Sequence, residues 1–507
     1  MGFPVFDILG RRAELGPDGL AMKDLVSGDR VTYRELSERA GRDAALLSAL
    51  GVGEGDRVAL LCRNRIEFFE LLFACARMGA ILVPLNWRMP AAELAPLLED
   101  CGAGLLVHGA EDAEQAGSLA RPGLAVLDLD DGGADGFRAK RDRLEPRSEG
   151  GARRADETWY LLYTSVTTGR PKAVIQTYGM ALANYVNIAQ AMGLRADDTT
   201  LCFLPLFHTG GINLTALPAL IMGARTLITP GFDLDCTVGL LEAGRLDTFF
   251  GVPAIYQAIS LHNRFDELDL TKVRCWGCGG APMPDKLLRQ FAARGATVLN
   301  GMGMTETGPT VFLMDEANAM NKIGSVGKPQ LLASVRLVDA QGNDVQQGDT
   351  GELWFSGLGI TPGYHNRPDA NADAFSEDGW LRSGDLGRQD EDGYYYIVGR
   401  LKDMYISGGE NVYAAEVEAQ LAAHPGVLEA AIIGIPDEKW GEVGCAFVVP
   451  RGPGLEPSTL RSYLRERPEL LDSLRALRPV QALCTGWARF WARLRGWFTR
   501  ARRAAGD

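Results

Sequence analysis

A run of hydroxyl side chains with one glycine and one lysine stands between two short apolar segments. It reads Tyr-Thr-Ser-Val-Thr-Thr-Gly-Arg-Pro-Lys and spans residues 163–172. Residues 159–163 predict a strand that enters the run, and residues 173–175 predict the start of a strand that leaves it. Small hydroxyl residues leave backbone N–H groups free to approach an anion, and a lysine ammonium suits phosphate oxygens. The lysine follows a proline and does not open a helix. The pattern therefore indicates a phosphate loop unlike the usual P-loop, with a Ser/Thr-rich turn as the alternative.

The run resembles the phosphate-binding signature of the adenylate-forming superfamily, which contains acyl-CoA ligases, luciferases and the adenylation domains of peptide synthetases. Further motifs follow in the order found in that superfamily. They are residues 301–306 for adenine and magnesium, 379–385 for ribose, 399–403 for the interdomain hinge, and 407–411 with 416–418 for the loop beyond the hinge. The resemblance extends from about residue 30 to about residue 467.

The resemblance implies how ATP is bound. Phosphate contacts are expected from Thr164, Ser165, Thr167, Thr168, Gly169 and Lys172, and adenine contacts from Gly280, Ala281, Pro282, Met302, Gly303 and Met304. Thr305 is expected at the α-phosphate and Glu306 at Mg²⁺, although an isolated Thr-Glu pair is more often a helix cap. Asp385 is expected to accept hydrogen bonds from the ribose with Arg400 beside it, whereas an isolated pair would be a surface salt bridge.

The same resemblance assigns the acid and CoA to other residues. The acid pocket is expected from Phe207, His208, Gly211, Gly279 and Gly303, with His208 closing over the carboxylate; a lone histidine would be a satisfied core residue. Lys402 marks the hinge about which a small domain rotates, Gly408 and Gly409 line the pantetheine tunnel, and Trp440 contributes to CoA binding or anchors a core. The expected catalytic residues are Lys172, His208, Thr305, Glu306 and Lys402.

Three features depart from the superfamily pattern. Val166 occupies a loop position that is usually glycine, and its β-branch resists positive φ. Met302 replaces the aromatic residue that usually stacks on adenine. No lysine follows Lys439, so the lysine that bridges the acid and ATP in other members is missing. Residues 468–507 are basic and aromatic, which indicates a replaced, non-native tail, with a helix for membranes or nucleic acid as the alternative.

Helical and strand patterns alternate along the first 400 residues, which predicts parallel α/β layers. Residues 33–50 and 66–78 have helical spacing. Residues 110–155 have weak periodicity and predict loops and surface elements, and residues 335–364 predict a small β-rich subdomain. The expected fold is α/β. A large N-terminal domain (1–399) of layered α/β subdomains, with the small β-rich subdomain, is hinged to a small C-terminal α+β domain (400–467).

The amino-acid composition limits the possible functions and the possible cellular compartment. The formal net charge of −13 argues against a general nucleic-acid binder, because phosphate contacts need a basic face. The nine cysteines lack regular spacing, so Cys275 and Cys278 are expected to be buried structural residues in a reducing compartment. The sequence shows no pattern typical of a signal peptide or a membrane span, so we expect a cytoplasmic location. A homodimer is one option for the assembly.

The sequence therefore predicts an AMP-forming acid–CoA ligase that uses ATP, Mg²⁺ and coenzyme A. Residues 250–257 and the following Gly-Gly-Ala-Pro resemble bacterial feruloyl-CoA synthetases. This resemblance implies a hydroxycinnamate substrate such as ferulate and a role in phenylpropanoid catabolism. A medium-chain fatty acid is the alternative substrate. A degraded binder of nucleotide or acyl-adenylate is the alternative from a different class of protein.

Overall fold

The chain divides into two compact units. The computed structural model describes residues 2–134, 136–147, 151–164, 171–407, 410–437, 441–465 and 478–479. The first unit comprises Met1–Arg336 and Trp354–Arg382, and the second comprises Leu337–Leu353 and Ser383–Asp507.

A six-stranded sheet organises the N-terminal part of the first unit. Its strands follow the order Lys172–Thr177, Thr158–Thr164, Ile81–Pro84, Arg57–Leu61, Leu105–His108 and Ala125–Asp128. The first two strands are antiparallel and the other neighbours are parallel. Val58 and Leu60 pack into one core and Ala59 and Leu61 into another, because successive strand residues face opposite sides. Helices cover both faces, as a largely parallel sheet requires.

The helices on these faces carry recognisable start and stop signals. Thr32 and Glu35 form a capping box at the start of helix Tyr33–Ala49. Helix Ile66–Met78 ends at Gly79, which adopts a left-handed conformation that glycine accepts without strain. These two helices pack on one face of the sheet, and helix Ala91–Cys101 packs on the other through Leu94, Leu97 and Leu98.

Two further sheets complete the first unit. One has the strand order Thr199–Cys202, Arg225–Ile228, Leu20–Asp24 and Arg30–Thr32, and the other has the order Thr248–Gly251, Cys275–Cys278, Val298–Met302, Phe312–Leu313 and Ser325–Pro329. Pro4–Val5 pairs with Arg153–Arg154. The remaining helices are Ile8–Leu15, Ala113–Ser118, Phe137–Asp142, Tyr178–Ala191, Thr209–Gly211, the π-helical Ile212–Ala216, Leu217–Met222, Leu234–Glu242, Pro253–Ser260, Asp285–Ala292 and Pro368–Ala374, with short turns of 3₁₀-helix at Ala110–Asp112, Phe265–Glu267, Leu270–Lys272 and Thr305–Thr307.

Two groups of strands lie wholly or partly in the second unit. Tyr395–Arg400, Leu381–Gln389, Thr350–Ser356 and Ser334–Val338 pair in that order. A second sheet holds Glu410–Tyr413, Met404–Ser407, Gly441–Pro450 and Val427–Asp437, with Arg478–Pro479 paired to Gly441–Pro450. A 3₁₀ turn at Leu401–Asp403 lies between the two groups in sequence, and helices Ala414–Ala423 and Pro457–Arg465 pack with the second sheet around Val417, Leu421 and Leu464.

The α/β fold class expected from the sequence is confirmed. Helix 66–78 agrees to the residue, and the helix expected at 33–50 ends one residue earlier. The expectation of loops and surface elements for residues 110–155 is wrong in part, because Leu129 and Phe137 are fully buried in the main core. Cys275 and Cys278 are buried in one strand, as predicted. Within the described residues we find no helix of the length and apolar character needed to cross a membrane.

Candidate active site

The strands on either side of the hydroxyl-rich run form an antiparallel pair. Thr164 lies opposite Lys172, and the Thr164 hydroxyl donates to the Lys172 carbonyl at 3.4 Å. The two strands predicted from the sequence are therefore present, and their pairing places Thr164 and Lys172 beside each other. Ser165, Thr167, Thr168 and Gly169, together with Val166, lie outside the described residues.

Tyr364 contacts two of the residues expected at the phosphates. The Lys172 ammonium lies 4.7 Å from the centroid of the Tyr364 ring, within range of a cation–π interaction. The Tyr364 hydroxyl donates to Glu306 Oε1 at 2.9 Å. Burial and the adjacent Glu306 carboxylate raise the pKa of Tyr364, so its phenol stays protonated and remains a donor. One side chain therefore brings the loop lysine and the expected metal ligand together.

Hydrogen bonds hold the turn at Thr305 and Glu306 against the strand that leaves the loop. Gln176 lies in that strand, and its Nε2 donates to the Thr305 carbonyl at 2.9 Å. The Thr361 N–H donates to the Glu306 carbonyl at 2.8 Å. Residues more than 120 positions apart in sequence, such as Gln176 and Thr305, thus form one rigid support.

Glu306 has the chemistry that a magnesium ligand needs. Its side chain is buried, yet it is supported by a phenolic donor. Mg²⁺ prefers carboxylate oxygen and is commonly bound by one or two carboxylates together with substrate phosphates and water. No cluster of three or more His, Cys, Asp or Glu side chains suited to a metal occurs in the described part of the chain. The buried Glu306 carboxylate therefore fits one ligand position of such a cation.

A cavity of ≈ 470 Å³ opens beside the Thr305 turn. Eight of the residues expected at the site line it: His208, Gly211, Gly279, Gly280, Met302, Gly303, Met304 and Thr305. Apolar side chains form much of the remaining wall, namely Leu204, Leu214, Phe250, Val252, Phe312 and Leu313. A mostly apolar pocket of this size with a few polar groups is typical of a small-molecule site.

Close backbone approach explains several glycines in this wall. A Cβ on Gly303 would lie 1.4 Å from the Pro309 carbonyl oxygen, and a Cβ on Gly211 would lie 2.2 Å from the Pro205 carbonyl oxygen. Gly280 has φ +81°, a backbone conformation that residues with a side chain rarely adopt. The backbone packing around the cavity therefore requires glycine at these positions, independently of any ligand.

His208 lines the cavity, and its imidazole reaches the solvent there, although protein surrounds most of the ring. The pKa of His208 is lowered to about 4, mainly by this partial burial and to a smaller extent by the nearby Arg88 guanidinium. The ring is therefore neutral at pH 7. Phe207 instead packs in the protein, with its ring centroid 4.5 Å from that of His208 and 6.2 Å from that of Trp87.

Several expected residues lie elsewhere. Phe207 is not part of the cavity wall, and Ala281 and Pro282 are exposed on the segment that follows Gly280. Sequence reasoning linked all three to the pocket through their neighbours in the motif. Adjacent residues of a loop point in different directions, so a motif indicates a region more reliably than each side chain in it.

In the second unit, Asp385 and Arg400 lie opposite each other on paired strands. Arg400 Nε donates to Asp385 Oδ1 at 2.9 Å. Burial raises the pKa of Asp385, and the charge of Arg400 opposes this shift. Lys402 is exposed in the turn Leu401–Asp403 that follows. Gly408, Gly409 and Trp440 lie outside the described residues.

Sequence reasoning missed polar residues that surround these motifs. Tyr364, Asp100 and Arg367 approach the phosphate loop, and Thr209 and Asn213 join the cavity wall to a buried hydrogen-bond chain. A tyrosine and an arginine within the short run Gly-Tyr-His-Asn-Arg-Pro at 363–368 were the available signal for two of them. Asp100 and Asn213 lie in helical patterns that give no such signal, whereas Thr209 directly follows His208 in the segment that resembles the acid pocket.

Comparison with known proteins identifies the family. A family model described as "AMP-binding enzyme" matches residues 9–365, and one described as "AMP-binding enzyme C-terminal domain" matches residues 416–483. The chain is 42% identical over 458 residues to feruloyl-CoA synthase of an Amycolatopsis species, covering 90% of this chain and 91% of that protein. It is 37% identical over 451 residues to the long-chain-fatty-acid–CoA ligase FadD13 of Mycobacterium tuberculosis, covering 87% and 88%.

The fold agrees with these matches. The structure of o-succinylbenzoate CoA synthetase from Bacillus subtilis in complex with its acyl-adenylate intermediate superposes with a TM-score of 0.84 at 30% identity, covering 95% of this chain and 96% of that one. The chain therefore belongs to the AMP-binding enzyme family. We assign it to the AMP-forming acyl-CoA synthetases of that family, for which ATP and CoA are the co-substrates. The resemblance to adenylate-forming enzymes is thereby confirmed.

Proposed function

We propose that this acyl-CoA synthetase activates a hydroxycinnamate, ferulate or a close analogue, and transfers it to CoA. The observation that carries the proposal is the cavity beside Thr305, whose wall includes the aromatic rings of Phe250 and Phe312. Flat aromatic acids pack well against such rings. The 42% identity to a feruloyl-CoA synthase supports the same class of acid. A role in phenylpropanoid catabolism follows from that substrate.

The first half-reaction joins the acid to AMP. A carboxylate oxygen of the acid attacks the α-phosphorus of ATP, the bond to the bridging oxygen breaks, and pyrophosphate leaves. Lys172 and the hydroxyl-rich loop neutralise the β- and γ-phosphates, and Thr305 contacts the α-phosphate. Mg²⁺, held by Glu306, supplies further charge stabilisation when it is bound. The neutral His208 is assigned to the carboxylate side of the cavity, where its ring can donate one hydrogen bond but adds no charge.

The second half-reaction uses the second unit. The CoA thiolate attacks the acyl carbon of acyl-AMP, the mixed-anhydride bond breaks, and AMP leaves. We assign Lys402 to the hinge, Gly408 and Gly409 to the pantetheine tunnel, and Trp440 to CoA contacts, by resemblance to the superfamily. Asp385, with Arg400 beside it, is assigned to the ribose hydroxyls, because it is a buried carboxylate with acceptor capacity.

A directed hydrogen-bond chain favours an oxygen-bearing ring over an alkyl chain. The Tyr160 hydroxyl donates to Asn213 Oδ1 at 2.9 Å, and Asn213 Nδ2 donates to the Thr209 hydroxyl oxygen at 3.0 Å. Because that oxygen accepts this bond, its own proton remains to be donated. Thr209 lines the cavity, so a hydroxyl or methoxy oxygen of a ring is a suitable acceptor.

Purified protein should be assayed with ferulate, unsubstituted cinnamate and octanoate in the presence of ATP, Mg²⁺ and CoA. We expect the highest kcat/KM for thioester formation with ferulate. A preference for octanoate would move the substrate to the medium-chain fatty acids; the similar FadD13 is named for long-chain fatty acids. ATP binding without turnover of any acid would favour the degraded nucleotide binder, which the absence of lysine after Lys439 supports.

A further inference from the structure

Three side chains from distant parts of the sequence meet beside the phosphate loop. Asp100 lies near the end of helix Ala91–Cys101, Tyr163 lies in strand Thr158–Thr164, and Arg367 precedes helix Pro368–Ala374. The Tyr163 hydroxyl lies 2.8 Å from Asp100 Oδ2, and Arg367 Nη2 donates to Asp100 Oδ1 at 3.0 Å. Each oxygen of one carboxylate therefore holds one partner.

These partners lie at opposite ends of the loop. Tyr163 stands two positions before Ser165, where the undescribed part of the loop begins. Arg367 Nη2 also donates to the Pro171 carbonyl at 3.1 Å, and Pro171 is the first described residue after the loop. Asp100 thus connects the start of the loop, through Tyr163, with its end, through Arg367.

The surroundings make this connection strong. The side chains of Arg367 and Asp100 are 18% and 22% exposed, so water screens their charges less than it would on an open surface. Burial, together with the negative charge of Asp100, raises the pKa of Tyr163, so the phenol stays protonated and can donate. Leu94 and Leu98 anchor the helix that carries Asp100 in the core. The carboxylate is therefore fixed by a rigid element.

We propose that Asp100, Tyr163 and Arg367 form a clamp that holds the two ends of the phosphate loop in the geometry needed for the β- and γ-phosphates. This inference rests on the proposed function, which assigns the loop to those phosphates. Backbone N–H groups stabilise an anion best when they are already oriented, because ordering a loose loop reduces the net binding energy. The three clamp residues are positioning residues that act through the loop.

Binding of ATP and AMP separates this role from a merely structural one. AMP lacks the β- and γ-phosphates, so it does not need the loop. Loss of the clamp should weaken ATP binding selectively, whereas general damage to the fold would weaken the binding of both nucleotides. The Kd of each nucleotide should be measured for the full chain, with Mg²⁺ present and no acid added.

Arg367→Met keeps the length of the side chain and removes its donors. We expect it to raise the Kd for ATP by at least about tenfold, as for the loss of a charge-assisted hydrogen bond, while the Kd for AMP changes by less than about twofold. Arg367→Lys should restore part of the affinity for ATP, because an ammonium can donate to the same oxygens but lacks the planar fork. Thioester formation from synthetic acyl-AMP and CoA should be unchanged.

Arg274→Met is a matched control. It removes a guanidinium that donates to Asp198 at 2.7 and 2.6 Å, and neither residue has a hydrogen bond or ion pair with Tyr163, Thr164, Pro171 or Lys172, the described residues at the ends of the loop. The Kd for ATP should stay within about twofold of the wild-type value. Equal changes for ATP and AMP in Arg367→Met, or no change for either, would overturn the clamp.

Tyr163→Phe provides a milder test if Arg367→Met does not fold, since it removes one hydroxyl. It should also raise the Kd for ATP selectively, and its effect should be less than additive with that of Arg367→Lys, because both act through Asp100. An unchanged Kd for ATP would contradict the clamp. Failure of the proposed function is distinguishable, because wild-type protein would then fail to turn over hydroxycinnamates, whatever the binding of nucleotides by the variants.

Discussion

At the scale of single residues, Glu306 and Tyr364 show how the site combines stability with reactivity. The phenol donates to one carboxylate oxygen of Glu306, and its ring lies 4.7 Å from the ammonium of Lys172. The phenol can support a neutral amide at position 306 equally well, since an amide oxygen also accepts a hydrogen bond. Charge and hydrogen bonding at Glu306 can therefore be separated by one substitution.

Glu306→Gln should reduce acid-dependent AMP release by at least about a hundredfold, because a neutral amide no longer stabilises a magnesium ion or the charge that develops on phosphate. The midpoint of thermal unfolding should change little. Glu316→Gln is the control, since Glu316 is exposed and lies ten positions further along the chain. Near-normal AMP release by Glu306→Gln at ordinary Mg²⁺ concentrations would show that the metal assignment is wrong.

Thr209 offers a test of substrate choice. Thr209→Val keeps the shape of the side chain and removes the hydroxyl at the end of the Tyr160–Asn213 chain. We expect kcat/KM for ferulate to fall by about fivefold relative to cinnamate, the loss of roughly one neutral hydrogen bond. Thr215→Val, a buried threonine outside the cavity wall, should leave the ratio unchanged. An equal loss for both acids would instead place the Thr209 hydroxyl at the carboxylate.

At the scale of elements, two packed helices share buried carboxyl groups. Asp43 lies on helix Tyr33–Ala49 and Glu70 on helix Ile66–Met78, and both are fully buried. Arg141 donates to Glu70 at 3.1 Å, whereas neither oxygen of Asp43 has a hydrogen-bond partner among the described residues. Burial, followed by repulsion from Glu70, raises the pKa of Asp43 well above its ordinary value. Asp43 is therefore protonated more readily in the folded state than in the unfolded state.

Asp43→Asn should gain stability relative to wild type as the pH rises from 5 to 8. A carboxyl group whose pKa is raised by folding weakens the folded state above its unfolded pKa of about 4, because the unfolded chain releases the proton more easily. Asparagine does not titrate, so it avoids this loss. The measurement is the difference in Tm between variant and wild type across that pH range. Asp142→Asn, at the exposed partner of Arg141, is the control.

If the difference in Tm between Asp43→Asn and wild type stayed constant with pH, the conclusion that folding raises the pKa of Asp43 would be contradicted. A difference that grows toward pH 5 would contradict it as well, because it would mean that folding lowers the pKa. In either case the helix pair would hold Asp43 as a charged residue, and Arg141 would be its counter-ion.

At the scale of the whole molecule, the two half-reactions place different demands on this chain. Adenylation needs a cation between the carboxylate and the α-phosphate, a role that the superfamily gives to a lysine near the C-terminus. No lysine follows Lys439 here. Transfer of the acyl group from acyl-AMP to CoA does not need that cation. A guanidinium is a poor replacement, since its charge is spread over a planar fork.

We expect synthetic feruloyl-AMP and CoA to be converted faster than ferulate, ATP and CoA, by at least about tenfold, equivalent to about 1.4 kcal/mol of barrier. Single-turnover measurements of both routes on the same protein preparation provide the comparison. Equal rates would mean that another cation serves adenylation. A slower second half-reaction would shift attention to the hinge at Lys402, which we expect to govern the exchange between the two steps.

Contiguous patterns in the sequence were sufficient for the local features of this protein. The strands Thr158–Thr164 and Lys172–Thr177 and the helix at 66–78 follow from periodicity that a few neighbouring residues carry. The order of the motifs was sufficient for the family. The cavity was predicted as a region through His208, Gly279 and Gly303, although not side chain by side chain.

The tertiary structure alone decided which distant side chains meet. Arg367 reaches Asp100 across 267 positions, and Phe137 enters the main core from a segment whose local pattern indicated a loop. Such contacts depend on the order of strands in a sheet and on the direction each side chain takes from its backbone. Periodicity specifies the face of an element that is buried, but it does not specify the partner that covers it. For that physical reason the support around the phosphate loop became visible only in the folded chain.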